Sequence, residues 1–279
     1  MNQPEEKPFG LTTTSSGGLI RRMDQRLELV NRLMEEIQAK QTDMSNTKTL
    51  EVPLGSGVVM LMKWCPPGSF LMGSPETDRW RSDDENQVQV TLSQGFWIGQ
   101  TQVTQGQWQA VMGNNPSRFR GEGRPVERVS WDDAQEFVAK INASFVIPDG
   151  MQMTLPTEAQ WEYAARAGET WPYLGWLDEV AWYLGNSGDV THPVGMKKPN
   201  TWGLHDVHGN VWEWCADWYK SELKGGTDPQ GATSGTRRVL RGGGWGNDAV
   251  HCRVAFRNGY YPSYTYGPFG FRVARSSVP

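Results

Sequence analysis

The segment 238–275 constrains this chain more than any other part, because two apolar stretches enclose a run rich in glycine and tyrosine. Val239–Leu240 and Phe269–Ala274 carry the β-branched and aromatic residues typical of buried strands, and Arg253–Ala255 is a third short strand candidate. Four tyrosines lie between the outer two: Tyr260, Tyr261, Tyr264 and Tyr266. The pattern predicts short strands whose connecting loops carry a cluster of rings.

These rings have two interpretations. Tyrosines diluted with Gly, Ser, Asn and Pro are typical of a loop-borne binding surface, because each ring supplies contact area with few rotatable bonds. The same rings would have a purely structural role if they covered one side of a hydrophobic core. Composition alone leaves both interpretations open.

The overall composition narrows the class of protein. The 279 residues include 14 Trp, 32 Gly and 17 Pro, which predicts large buried rings beneath long irregular loops. A net charge of −4 gives no reason to expect a nucleic-acid partner. No stretch approaches the roughly 18 consecutive apolar residues of a membrane span. We therefore expect a globular protein with neither nucleic acid nor a membrane-spanning segment.

The first 50 residues differ from the rest of the chain. Residues 1–18 are polar and end in Ser-Ser-Gly-Gly, which is typical of a flexible tail. Residues 19–40 form a predicted amphipathic helix, followed by a polar linker to residue 50. Its apolar stripe consists of Met23, Leu27, Val30, Met34 and Ile37. We expect a monomer whose helix docks on its own main domain, with self-association through this helix as the alternative.

The N-terminal residues also bear on localisation. The sequence MNQPEEKPFG is polar and acidic, unlike the basic and then apolar start of a secretory signal. Either the protein stays inside the cell or a leader was removed before residue 1. We expect the second case, and therefore the cell surface in preference to the cytoplasm.

Residues 51–279 are predicted to form one domain, since no Pro/Ser-rich linker interrupts them before residue 275. The segment 51–63 is predicted to be one strand. Thr104, Ser130 and Thr157 are each suited to cap the N-terminus of a helix, and the third helix is predicted to end at Gly168.

Six segments within this region carry a family resemblance. They are PPGSFLMGS (66–74), FWIGQTQVTQGQW (96–108), RPVERVSWDDAQEF (124–137), LPTEAQWEYAARAG (155–168), WGLHDVHGNVWEW (202–214) and RVLRGGGW (238–245). In this order they resemble the formylglycine-generating enzyme (sulfatase-modifying factor) family. The resemblance implies an α+β fold of the C-type lectin-like kind, with little regular secondary structure.

The resemblance does not extend to the residues that carry the family's oxidation chemistry. Its oxidising members bind copper through two closely spaced cysteines after the RGG motif, whereas this chain has only Cys252 there. Cys215 and Cys252 either approach each other or remain separate buried thiols. We expect no catalysis and no required cofactor. The alternative is a formylglycine-generating-type oxidoreductase, or an accessory factor, that lacks the copper cysteine pair.

A closer resemblance is to the variable proteins of diversity-generating retroelements, of the treponemal type. Their C-terminal region begins RVLRGG and ends GFRVA, as at 238–243 and 270–274. Framework matches are Trp245, Asn247, Ala249, Cys252–Ala255, Arg257–Asn258 and Pro262. The hypervariable positions, here called slots, are Gly246, Asp248, Val250, His251, Phe256, Gly259, Tyr260, Tyr261, Ser263, Tyr264, Tyr266, Gly267 and Pro268.

The slot residues agree with the way that family diversifies. Its template AAC codons become NNC codons, which cannot encode Lys, Glu, Gln, Met or Trp. None of the slots carries any of these five types, although Trp and Met alone occur 14 and 11 times in the chain. Gly, Ser and Tyr are favoured in loops in any case, so the agreement supports the resemblance without deciding it.

Together these features predict a ligand-display protein. The slot side chains would contact a macromolecular ligand, and we expect that ligand to be a protein. The resemblance also implies a structural Ca²⁺ held by the carboxylates of Asp206 and Glu213 and the carbonyls of Gly209 and Val211. The alternative is that Asp206 caps the turn and Glu213 pairs with an arginine.

Overall fold

The computed structural model describes residues 48–144, 151–265 and 267–277. The predicted tail 1–18, the helix 19–40 and most of the linker lie outside the described residues. Within the described ranges, no helix is both long and apolar enough to cross a membrane.

The largest sheet consists of β1 (Thr49–Pro53), β2 (Val59–Cys65), β5 (Phe96–Gly99), β6 (Met151–Thr154) and β14 (Ala274–Ser277). It is antiparallel, with strand order β1-β2-β5-β14-β6. The prediction of one strand over 51–63 is wrong, because Gly55, Ser56 and Gly57 all take positive φ angles and turn the chain back on itself. The result is a β1–β2 hairpin.

A second sheet carries most of the C-terminal segment. It consists of β12 (Arg257–Tyr260), β11 (Arg238–Arg241), β9 (Trp212–Trp218) and β13 (Phe269–Gly270), in that spatial order. The remaining strands form two small sheets: β3 (Gly68–Met72), β4 (Val88–Leu92) and β10 (Gly226–Thr227), and β7 (Ala181–Trp182) with β8 (His208–Gly209).

Two strand predictions in the C-terminal segment need correction. Arg253–Ala255 is not a strand: it follows a 3₁₀ turn at Ala249–Cys252, and the N–H of the buried Val254 donates to the Pro172 carbonyl. The third strand is β12 instead. The predicted strand 269–274 divides between β13 and β14, which belong to different sheets.

Three helices begin where the capping residues predicted: α1 (Gln105–Met112), α2 (Trp131–Ser144) and α3 (Glu158–Arg166). The single turn α4 (Leu177–Val180) was not predicted. Thr104 and Thr157 each form a capping box, and the Ser130 hydroxyl accepts from the N–H of Asp133 at 3.0 Å. Helix α3 ends with Ala167 in the left-handed conformation, one residue before the predicted stop.

Large aromatic side chains fill the core, as the tryptophan content predicted. Trp108 stacks on Phe137 at 5.5 Å, and both rings contact Phe271 edge-on at 6.1 and 5.3 Å. Phe271 lies between β13 and β14, so the C-terminal segment contributes to the centre of the hydrophobic core. The segment that carries the slots is therefore built into the body of the domain.

Candidate ligand-binding site

The slots differ in exposure. Those with exposed side chains or backbone are Gly246, Asp248, Tyr261 and Ser263. Those that are half-buried are Val250, His251, Phe256, Tyr260, Tyr264, Gly267 and Pro268. Tyr266 lies outside the described residues. The exposed members are available for contact with a partner without any rearrangement.

Gly259 does not suit a contact position. It is buried in β12, and a Cβ atom added to it would lie 2.6 Å from Cγ of Tyr219. The hydroxyl of Tyr219 donates to Asp84 at 2.7 Å, which fixes that ring in place. The assignment of Gly259 as a ligand-contacting slot is therefore corrected: the position packs against the framework.

The aromatic slots combine both interpretations offered by the sequence. Tyr261 is 61% exposed and has the character of a contact residue. Tyr260 and Tyr264 lie 4.6 Å apart, and their rings pack against buried Phe269 at 5.1 and 5.7 Å. Phe256 likewise contacts Trp212, at 6.0 Å. These half-buried rings close one side of the core while leaving part of their surface exposed.

Two framework arginines bind helix α3 from neighbouring strands. Arg257 on β12 donates to both carboxylate oxygens of Glu158, at 2.6 and 2.8 Å. Arg241 on β11 pairs with Glu162 and lies 3.5 Å from Glu158. All four side chains are buried, so the charges are held in a region of low dielectric where each requires its partner.

Two further framework arginines form bidentate pairs with other parts of the domain. Arg253 donates to both oxygens of Glu85 at 2.7 Å, and Arg272 donates to both oxygens of Glu213 at 2.6 and 2.8 Å. The planar guanidinium matches a carboxylate in such pairs and fixes their relative orientation. The C-terminal segment is thus fastened to the body at four buried arginines.

The main chain of several slots is held by framework residues. The carbonyl of Phe256 accepts from Arg241 at 2.7 Å, and that of Val250 accepts from Arg253 at 3.2 Å. The carbonyl of Pro268 accepts from the N–H of Trp212 at 2.8 Å. These bonds involve slot backbone and framework donors, so they do not depend on which side chain occupies the slot.

A cleft of about 550 Å³ adjoins two of the slots. Its lining includes the slots Asp248 and Val250 together with the non-slot residues Trp80, Tyr183 and Leu184. Trp80 is 55% exposed and Leu184 is 48% exposed. These non-slot lining residues were not predicted from the sequence. The available signal was a tryptophan within the charged loop 76–87 and several aromatics in the non-periodic stretch 171–184, since exposed loop aromatics mark recognition sites.

The residues of the predicted calcium turn converge on a single atom. The carbonyl oxygens of Asp206, Gly209 and Val211 and one carboxylate oxygen of Glu213 all lie 2.9–3.2 Å from Nε2 of Gln102. The alternative for Glu213 is observed, because it pairs with Arg272. Asp206 accepts from the N–H of Gly195 at 2.7 Å, and burial raises its pKa to about 6.

The cysteines are separate thiols. Cys65, Cys215 and Cys252 are all free and buried. Burial raises the pKa of Cys252 to about 12 and that of Cys215 well above its usual value. Both thiols are therefore poor nucleophiles near neutral pH, because nucleophilic attack requires the thiolate.

These features define the class: a C-type lectin-like scaffold of α+β type, with short sheets, few helices and long irregular connections around an anchored C-terminal segment. The chain belongs to the family described as the sulfatase-modifying factor enzyme 1-like domain, whose model matches residues 56–277. This result confirms the family resemblance seen in the motifs.

Proteins similar to this chain include a variable protein, a protein named a chaperone and an enzyme. The solved structure of Treponema denticola variable protein 1 is 34% identical, with a TM-score of 0.73, covering 81% of this chain and 98% of that one. A protein from Paenibacillus barcinonensis named "Chaperone protein LppX" is 34% identical over 256 residues, which are 73% of this chain and 87% of the relative. The formylglycine-generating enzyme of Streptomyces coelicolor is 32% identical over 205 residues, and the alignment spans 61% of that enzyme.

Proposed function

We propose that this protein is a non-catalytic display domain whose slots between 246 and 268 contact a protein ligand. The observation that carries the proposal is the separation of roles in this segment. Four buried framework arginines and their carbonyl contacts hold the main chain, while Asp248, Tyr261 and Ser263 project at the surface. A pre-organised contact surface loses little entropy on binding.

The chemistry of the surface favours a protein ligand. Trp80 and Leu184 offer apolar area in the cleft, which Asp248 also lines, and the exposed Tyr261 is a further aromatic slot. Exposed aromatic anchors with a polar surround are typical of protein interfaces. The Paenibacillus barcinonensis relative is named a chaperone protein.

The exchangeability of the slots can be tested with a display library. Gly246, Asp248, Tyr261 and Ser263 would be randomised together with NNC codons and selected against hen egg-white lysozyme as a defined protein target. A matched library would randomise exposed loop positions elsewhere: Glu222, Gln230, Thr233 and Ser234. We expect folded binders from the slot library well in excess of the matched library. Equal yields, or slot clones that do not fold, would contradict the proposal.

The source of slot diversity has a separate test. We propose that a retroelement diversifies these codons, because none of the slots carries a residue type that NNC codons cannot encode. The neighbouring DNA should then contain a reverse transcriptase gene and an adenine-rich near-copy of codons 246–268. A complete locus with neither would refute this origin while leaving the binding role intact. Display at the cell surface remains a prediction, which protease accessibility on intact cells would test.

The absence of oxidase activity is part of the proposal. Its support is that Cys252 is the one cysteine that follows the RGG motif in the sequence, whereas the oxidising members of the family have a pair there. The alternative of an oxidoreductase without the copper pair has a direct assay. Incubation of the purified protein, with and without added Cu(I), with a cysteine-containing sulfatase peptide should give no formylglycine by mass spectrometry.

A further inference from the structure

The most unusual buried group outside the slots is the side-chain amide of Gln102. Gln102 is fully buried after β5, and its Nε2 atom is surrounded by four oxygens. The distances are 3.1 Å to the carbonyl of Asp206, 3.2 Å to that of Gly209, 2.9 Å to that of Val211 and 3.0 Å to Oε1 of Glu213. An amide nitrogen therefore occupies the centre of an oxygen cage.

The orientation of this amide is determined by its surroundings. Turning the amide over would place its oxygen against four other oxygens, all of them acceptors. In the observed orientation Nε2 supplies two hydrogens to the cage, while Oε1 of Gln102 has no hydrogen-bond partner. Leaving Oε1 unpaired costs free energy, but this cost is outweighed because the Nε2 group of the same amide satisfies four buried acceptors.

The charge of the Glu213 carboxylate also affects whether the cage can bind a cation. The carboxylate of Glu213 already accepts two bonds from Arg272 and one from Trp161 Nε1 at 2.7 Å. Its negative charge is therefore neutralised within the protein. A Ca²⁺ ion requires six to eight oxygens at about 2.3–2.6 Å, closer than the oxygens around Nε2. The residues present do not fit calcium in this arrangement.

We propose that the Gln102 amide is an internal substitute for a divalent cation at this turn. The amide links the 206–211 turn to the start of β9 from within the chain, where Arg272 and Glu213 meet. The domain then needs no metal to order this turn. Gln102 is the residue that decides whether the turn is held by an amide or by a cation. This inference is independent of the ligand-binding role.

The wild-type protein supplies the first test. We expect less than about 0.1 equivalent of calcium by elemental analysis after purification, and no change in Tm between 5 mM CaCl₂ and 5 mM EDTA, because a ligand that does not bind cannot shift stability. One equivalent of calcium, or a Tm that falls in EDTA, would overturn the proposal.

Two variants test whether the amide occupies a cation cage. Gln102→Ala leaves the four oxygens without a donor, and the buried Oδ1 of Asp206 at the same turn also has no hydrogen-bond partner, so we expect added CaCl₂ to raise the Tm of this variant by at least about 4 °C. Gln102→Leu removes the donor but fills the space, so its lowered Tm should not respond to CaCl₂. A folded Gln102→Ala protein that does not respond, or an equal response from both variants, would contradict the proposal. The wild-type measurements decide the metal-free claim even if a variant fails to fold.

Discussion

At the scale of single residues, exposure separates slots that serve only for contact from slots that also support the fold. Tyr261 has most of its ring in solvent, whereas Tyr260 packs on Tyr264 and Phe269. A half-buried ring contributes apolar area to the core as well as contact area to a ligand. We therefore expect diversity at the two kinds of slot to have unequal effects on stability.

The comparison of Tyr261→Ala with Tyr260→Ala tests this difference. Tyr261→Ala should change the free energy of unfolding by no more than about 0.5 kcal/mol, as expected for an exposed side chain. Tyr260→Ala should lower it by about 1–3 kcal/mol, because the packing on Phe269 is lost. Urea denaturation measures both. Equal losses at the two positions would show that all the rings have the same structural role.

The buried carboxyl of Asp217 should make the stability of the fold depend on pH. Burial, followed by the nearby charge of Glu158, raises the pKa of this buried carboxyl to about 7. A carboxyl whose pKa is raised in the folded state favours folding below its unfolded pKa, near 4, and this contribution is lost as the pH rises towards 7. Asp217 accepts a hydrogen bond from the N–H of Glu158, which an asparagine oxygen can also accept.

The Asp217→Asn variant should therefore gain stability relative to wild type between pH 4 and pH 7.5. Urea midpoints for both proteins across this range measure the difference, and the wild-type protein should become the less stable of the two as the pH rises. A difference that stays constant with pH would show that Asp217 ionises normally in the folded protein.

At the scale of elements, the buried arginines replace the regular hydrogen bonding that the loops lack. The segment between the 3₁₀ turn and β12 has no strand partner at Val254, yet Arg253 joins it to Glu85 in the loop before β4. The two residues are 168 positions apart in the sequence. One such pair therefore fixes a loop against a distant part of the chain.

Glu85→Gln should lower the free energy of unfolding by about 3 kcal/mol, because the buried Arg253 loses its bidentate carboxylate and keeps only the weaker ion pair with Asp78 at 3.3 Å. The matched control is Glu136→Gln, which removes the exposed helical pair with Lys140 at 3.0 Å and should cost less than about 0.5 kcal/mol. Chemical denaturation of both variants gives the comparison. A loss below 1 kcal/mol for Glu85→Gln would show that the Arg253–Glu85 pair does not hold the loop in place.

Features that depend on neighbouring residues in the sequence, such as helix starts, could be predicted. Features that depend on contacts between distant parts of the chain could not. Helix starts at Thr104 and Thr157 were predictable because a capping residue acts on the next turn of the same chain. The strand prediction at Arg253–Ala255 failed because an apolar residue such as Val254 is buried equally well without strand pairing. The burial of Gly259 depends on Tyr219, and the oxygen cage depends on Gln102, both of which are brought together only by the tertiary fold.

At the scale of the whole molecule, the domain separates what is constant from what is exchangeable. Aromatic packing around Phe271 and the four buried arginine pairs lie in the body, while the exposed slots lie on one continuous C-terminal segment. Little regular secondary structure is needed, because side-chain contacts position the loops. Such an arrangement allows the contact residues to change while the fold remains the same.

The central claim is that the framework, and not the exposed slot side chains, holds the C-terminal loops. Amide hydrogen exchange on a variant with Gly246→Ser, Asp248→Asn, Tyr261→Ser and Ser263→Tyr tests it directly. We expect protection of the Trp245, His251 and Tyr264 amides, all hydrogen-bonded to main-chain carbonyls, to stay within about threefold of wild type. A loss of protection of more than about tenfold across these amides, equivalent to about 1.4 kcal/mol of local stability, would show that the exposed slot side chains themselves hold the loops.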